Sequence, residues 1–150
     1  TNRAALSGSK AVLLGKDFKP DKNPDLYPGG NSTIHQAIAI PAGVVRPILS
    51  FMYRLETEET SQRDGFEVLV IDESGTAHYL PAAQHYWQAT DWRHEWYDLS
   101  AFRGQTVDLY FNVWQSSAKK PTLTWVDEVS VGSIPAYRYS SHFPLVRGGG

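Results

Sequence analysis

A strict two-residue alternation from Thr106 to Trp114 constrains this chain more than any other feature. Val107, Leu109, Phe111 and Val113 fall on one side, with Thr106, Asp108, Tyr110, Asn112 and Trp114 on the other. That is the period of a strand with one face in a core. The stretch lies within Tyr97 to Val131, which also holds a one-turn helix signal, a polar connection and a second alternating strand. The second strand groups Leu123, Trp125, Val129 and Val131, and places Asp127 with them. A carboxylate on a core face has to be paired, hydrogen-bonded or bound to a cation, because burying it alone costs several kcal/mol.

The remaining segments repeat the pattern. Ala11 to Leu14 is a short apolar run between Gly8 and Gly15, read as an early strand. Lys16 to Gly30 is a long irregular stretch broken by Pro20, Pro24 and Pro28, and such insertions are usually functional or held by something. Ser32 to Ile40 alternates, with Gln36 as a polar residue among Ile34, Ile38 and Ile40. Ile48 to Leu55 and Phe66 to Ile71 give two more strands, the latter apolar on both faces as in a sheet interior. Asp72 to Gly75 is a turn signal that joins it to Ala77–Leu80 as a hairpin. Pro81 to Glu95 reads as a polar and aromatic connection. Asp98 can cap a single helical turn that Gly104 ends. No stretch of helical length shows helical periodicity, so the fold class is all-β, a two-sheet antiparallel β-sandwich of the jelly-roll kind. One domain over residues 1–133 is expected, with 134–150 as an edge segment or linker.

Composition narrows function by exclusion. With 150 residues, one buried core is expected. A formal net charge of −2 offers no field for nucleic acid or an anionic membrane. No apolar run reaches the roughly 18 residues of a membrane span. The absence of cysteine removes disulfides and thiolate chemistry. Five Trp, eight Tyr and six Phe suit a β protein with an aromatic ligand face. The chain begins at Thr1 rather than Met, which reads as a mature chain or an excised piece.

Five segments together carry a family likeness. They are Gln36 to Gly43 (QAIAIPAG), Leu49 to Arg54 (LSFMYR), Asp64 to Val70 (DGFEVLV), Trp92 to Phe111, and Thr122 to Val131 (TLTWVDEVSV). Their order resembles bacterial secreted jelly-roll modules related to MAM domains, to the immune inhibitor A-type C-terminal domain and to galactose-binding-like carbohydrate-binding modules. The resemblance covers about Ala4 to Gly132, and it departs at Glu128, where the family usually repeats Asp. It implies an extracellular module appended to enzymes or adhesins, commonly with a structural calcium ion held in part at the position of Asp127. Gln36, Asp64 and oxygens between Asp17 and Asn31 are the expected co-ligands. Calcium takes six to eight oxygens of mixed origin. The alternative is that Asp127 accepts backbone N–H bonds and Gln36 satisfies its own amide.

For a ligand, the outward row Asp108, Tyr110, Asn112 and Trp114 has the right chemistry: flat aromatics for sugar faces, with amide and carboxylate for hydroxyls. Trp87, Trp92 and Trp96 are expected to add a loop-borne platform. The alternative is that these aromatics only cover the sheet or pack under the Asp98 turn. Catalytic signatures are missing: His94-Glu95 lacks the second His of a zinc-protease motif, and no serine sits in a nucleophile elbow. The expected function is a non-catalytic extracellular module binding a glycan or polysaccharide and stabilised by calcium. The other expectation is a structural or adhesive module that packs against neighbouring extracellular domains.

Overall fold

The computed structural model describes residues 5–15, 28–58, 63–80, 88–117 and 121–133. Eight strands follow in order: β1 (Val12–Leu14), β2 (Pro28–Ala39), β3 (Pro47–Thr57), β4 (Gly65–Ile71), β5 (Ala77–Tyr79), β6 (Arg93–Asp98), β7 (Thr106–Ser117) and β8 (Thr122–Ser133). They form two antiparallel four-stranded sheets, β1-β8-β3-β6 and β2-β7-β4-β5, called here the first and second sheet. The segment 134–150, expected as an edge or linker, lies outside the described residues.

Alternation builds the core as the sequence suggests. Leu49, Phe51, Tyr53 and Leu55 of β3 are almost fully buried, and Val107, Leu109, Phe111 and Val113 of β7 face them. Phe51 meets Phe111 edge-to-face with centroids 5.1 Å apart, which locks the two sheets at their centre. β4 lies between β7 and β5, as its apolar character implies. The turn after β6 also forms as expected: Asp98 Oδ1 accepts the Ser100 N–H at 2.8 Å, and Gly104 closes the turn at φ 82°. β6 itself is an edge strand that begins inside the stretch read as a connection and runs past its end at Glu95, unforeseen because its polar and aromatic residues do not alternate in hydropathy.

β8 overturns the expected face of Asp127. The residues that turn inward are Thr122, Thr124 and Val126, all nearly fully buried, so Leu123, Trp125 and Asp127 lie on the outer side. The register against β3 shifts between Ser50 and Met52, where Glu128 and Val129 together oppose Phe51. Glu128 adopts φ 52°, the left-handed conformation of a bulge residue. Beyond this extra residue the parity reverses, and Val131 packs on the core. Val129, expected inside, is 47% exposed. A period-two reading run through an inserted residue puts half the strand on the wrong face.

Candidate functional site

The outer face of the second sheet sets the β7 row in a lattice that cross-strand register defines. Asn31, Trp114 and Gly65 lie in line across β2, β7 and β4, followed by Thr33, Asn112 and Glu67. The next line is His35, Tyr110, Leu69 and Tyr79, reaching β5. Asp108 follows between Ala37 and Ile71.

Asn112 is the centre of this face. It is 7% exposed, yet it points away from the core, so its amide needs partners. Its Oδ1 accepts the Thr33 hydroxyl at 2.7 Å. Its Nδ2 donates to Asn31 Oδ1 at 3.1 Å and to Glu67 Oε1 at 2.7 Å. The amide is thus spent on organising its neighbours. Among the described residues, these bonds engage one oxygen of Glu67 and the amide oxygen of Asn31, not the second oxygen of Glu67 or the amide nitrogen of Asn31. Aromatic surfaces flank the cluster. On one side the indole of Trp114 lies over Gly65, where a Cβ would come within 3.0 Å of three ring atoms. On the other, Tyr110 stacks on His35 with centroids 4.7 Å apart and planes 8° from parallel. Tyr79 adds a 48% exposed ring at the far edge. Flat rings beside fixed acceptors and donors form a surface suited to hydroxyl-rich, flat-faced ligands.

The expected row of Asp108, Tyr110, Asn112 and Trp114 is therefore one surface, although Asn112 acts as an organiser rather than a free hydrogen-bonding group. Thr33, His35, Glu67 and Tyr79 were not foreseen, and Asn31 was expected only among the calcium oxygens. Alternation within β2 puts Thr33 and His35 on one side, but only pairing register aligns them with Asn112 and Tyr110. Trp87 lies outside the described residues. Trp92 and Trp96 do not join this surface. Trp96 is a β6 residue paired with Ser50, so its indole belongs to the outer face of the first sheet, and Trp92 precedes β6 and lines a hollow beside Arg54 and Glu56.

The three expected calcium ligands lie in three places. Asp127 is on the outer side of β8, where Oδ2 accepts the Leu6 and Ser7 N–H groups at 2.9 and 3.2 Å and Oδ1 accepts that of Glu128 at 2.8 Å. Partial desolvation raises its pKa, but the three amide donors outweigh this and hold the carboxyl below its ordinary value. Asp64 is 1% exposed at the end of the sandwich. Its Oδ1 accepts the N–H and hydroxyl of Ser116, and its Oδ2 accepts the Thr122 hydroxyl. Gln36 faces the gap between the sheets but is exposed, because the three-residue β1 leaves that edge open. It borders an apolar cleft of about 240 Å³ beside Val12, Ile34, Ile38 and Val129. Both carboxylates are engaged by N–H and O–H donors. Among the described residues no cluster of three acidic or imidazole groups gathers, and residues 16–27, from which further calcium oxygens were expected, lie outside the described residues.

No protein-family model and no curated protein sequence matches the chain. Solved structures do match its fold. One is the carbohydrate-binding module TmCBM61 in complex with β-1,4-galactotriose: TM-score 0.58, 13% identity, 87% of this chain and 75% of that one covered. Another is a family 16 carbohydrate-binding module, at TM-score 0.52 and 14% identity over 88% and 82% of the two chains. The architecture is thus the β-sandwich that these modules share.

Proposed function

We propose that the protein is a non-catalytic carbohydrate-binding module whose glycan site is the outer face of the second sheet. The observation that carries this reading is the Asn112 cluster, a buried amide fixing Thr33, Asn31 and Glu67 between the Tyr110 and Trp114 rings. The likeness in fold to two carbohydrate-binding modules, one holding β-1,4-galactotriose, supports it. Binding is preformed: a rigid sheet holds rings and polar groups in place, so little side-chain freedom is lost on association. On this reading the protein works outside the cell, where polysaccharides are met, and fractionation of the expressing cells checks the placement.

The test is a glycan array followed by calorimetry on the selected oligosaccharide, with β-1,4-galactotriose included. Tyr110→Ala/Trp114→Ala should lower affinity at least about tenfold, equivalent to ~1.4 kcal/mol, while the fold is retained. Unchanged affinity in that variant refutes the site, and a silent array refutes the function. A structural role remains as second reading, favoured by the apolar cleft between β1 and β2, where Ile34 is 41% exposed. Chain self-association lost on Ile34→Asp would support it. Calcium, expected from the resemblance, is a separate proposal. A Tm that falls on chelation would support it, and one that stays constant would remove it.

A further inference from the structure

We propose that the first sheet carries a second carbohydrate-binding face along β6, on the side of the sandwich opposite the Asn112 cluster. The two faces share one pattern. On β7, Tyr110 and Trp114 flank Asn112, each two residues away, and the middle residue is hydrogen-bonded to neighbouring strands. On the β6 segment, Trp92 and Trp96 flank His94 with the same spacing, and His94 Nε2 lies 2.7 Å from the Ser50 hydroxyl of β3. Strand parity sets the orientation. Tyr97 pairs with the inward Leu49, so Trp96 and His94 turn outward, and Trp92, one residue before the strand, lines a hollow with the outward Arg54 and Glu56. At about 3.3 Å per residue of extended chain, positions 92 and 96 lie up to ~13 Å apart along the backbone. A single monosaccharide does not span that distance, and a chain of several sugars does.

The surroundings of these rings specify the occupant. Trp96 is 53% exposed. The guanidinium of Arg46 sits 5.9 Å from its ring centroid and is itself paired with Asp98 at 3.0 Å. Arg54, whose guanidinium sits 5.0 Å from the Trp125 ring centroid, is paired with Glu56 along an open hollow of about 670 Å³ that Trp92, Thr90 and Asp91 also line. Both guanidiniums that sit over indoles on this face are thus already paired with a carboxylate. A strongly charged partner would have to break these pairs, whereas a neutral glycan can use the same groups as hydrogen-bond donors and acceptors without disturbing them. The occupant is therefore a neutral oligosaccharide chain lying along β6. The two sheets are about 10 Å apart and their outer faces point in opposite directions, so one chain segment cannot fill both sites. Where the second-sheet site also binds, the module is bivalent and cross-links polysaccharide. This inference shares with the preceding reading only the class of ligand, because its residues are separate.

Affinity electrophoresis of the full chain, in gels holding soluble neutral polysaccharide (β-galactan or β-glucan) or polygalacturonate, tests it. Four proteins are compared: wild type, Trp92→Ala/Trp96→Ala, Tyr110→Ala/Trp114→Ala and the combined variant. In neutral gels each pair should weaken retardation about tenfold in apparent Kd, with the combined variant running as in a blank gel. If Trp92→Ala/Trp96→Ala matches wild type, the inference fails while the second-sheet reading stands. If only that pair abolishes retardation, the inference stands and the second-sheet reading fails. Retardation confined to polygalacturonate, or in no gel, overturns the inference. So does a change of oligomeric state in the Trp92→Ala/Trp96→Ala variant without a change in retardation, which would mark a protein contact. Trp96→Ala alone, on an exposed edge strand, keeps the test decisive if the pair does not fold.

Discussion

Asp64→Ala is the most informative perturbation of stability, because this carboxylate joins both sheets at one end of the sandwich. It precedes β4 and accepts the Ser116 N–H at 2.7 Å, the Ser116 hydroxyl at 3.0 Å and the Thr122 hydroxyl at 3.1 Å. Hydrogen bonds to a charged group contribute about 1.5–3 kcal/mol each, but the three losses are not equal. Ser116 is exposed, so water replaces the carboxylate for its N–H and hydroxyl. Thr122 is fully buried, yet its hydroxyl lies 2.8 Å from that of Thr57 and can turn to donate there. Removing the carboxylate also relieves the cost of burying a charge. The net loss is about 2–3 kcal/mol, which for a chain of this size lowers Tm by roughly 4–12 °C. Asp64→Asn keeps the volume and one acceptor, and its amide can donate to Thr122 Oγ1, so it should cost under about 1.5 kcal/mol. Urea unfolding followed by tryptophan fluorescence measures both. An Asp64→Ala loss below about 0.5 kcal/mol would refute the argument. So would equal losses in the two variants accompanied by disappearance of a calcium-dependent Tm, since the charge would then be serving an ion.

Two further outcomes follow from the backbone and from the acid groups. Glu128→Gly should be neutral or stabilising by up to about 1 kcal/mol, because a left-handed conformation costs an L-residue roughly 1–2 kcal/mol while glycine adds entropy to the unfolded chain. Thermal unfolding checks this, and a clear destabilisation would show that the bulge depends on the Glu side chain. Stability should also fall in acid. The Ser74 hydroxyl, then His78 and the Thr76 N–H, hold Asp72 far below the usual carboxylate range, and Ser100 and then Arg46 lower Asp98. Depressed folded-state values mean a contribution present above the ordinary carboxylate pKa of about 4 and lost as pH falls through the folded values. The urea midpoint should therefore hold near neutrality and drop below about pH 4. A midpoint constant down to pH 3 would contradict the assignment.

What could be read from the sequence follows from what alternation encodes. β7 alternates without interruption, so its core face and its outer row were both legible from Thr106 to Trp114. β3 was legible for the same reason. β6 was not: Arg93 and Glu95 sit on its inward side at an edge where burial is incomplete, so hydropathy carries no period there. The partners of Asn112 were hidden for a different cause. Thr33 and Glu67 are far from it in sequence, and only inter-strand register brings them together.

Asp127 shows how far a single residue can mislead. Its expected inward face rested on counting by twos from Trp125 to Val131, across Glu128. The bulge breaks that count, and the inward positions before it are two threonines and a valine, of which the threonines look like surface residues. A carboxylate thought to need a cation thus stands on the outer side, where three backbone amides satisfy it. Asn112 is the opposite case: it was assigned to a solvent-facing row, yet its neighbours bury it and use up its amide. In a β-sandwich, the demand that a strand residue's polar atoms be satisfied is visible in the sequence, but whether neighbouring backbone, a neighbouring side chain or a ligand meets it is decided by register. Among the described residues that demand is only half met for Glu67 and Asn31 within the second sheet, which is why we propose the ligand there and not at Asp127.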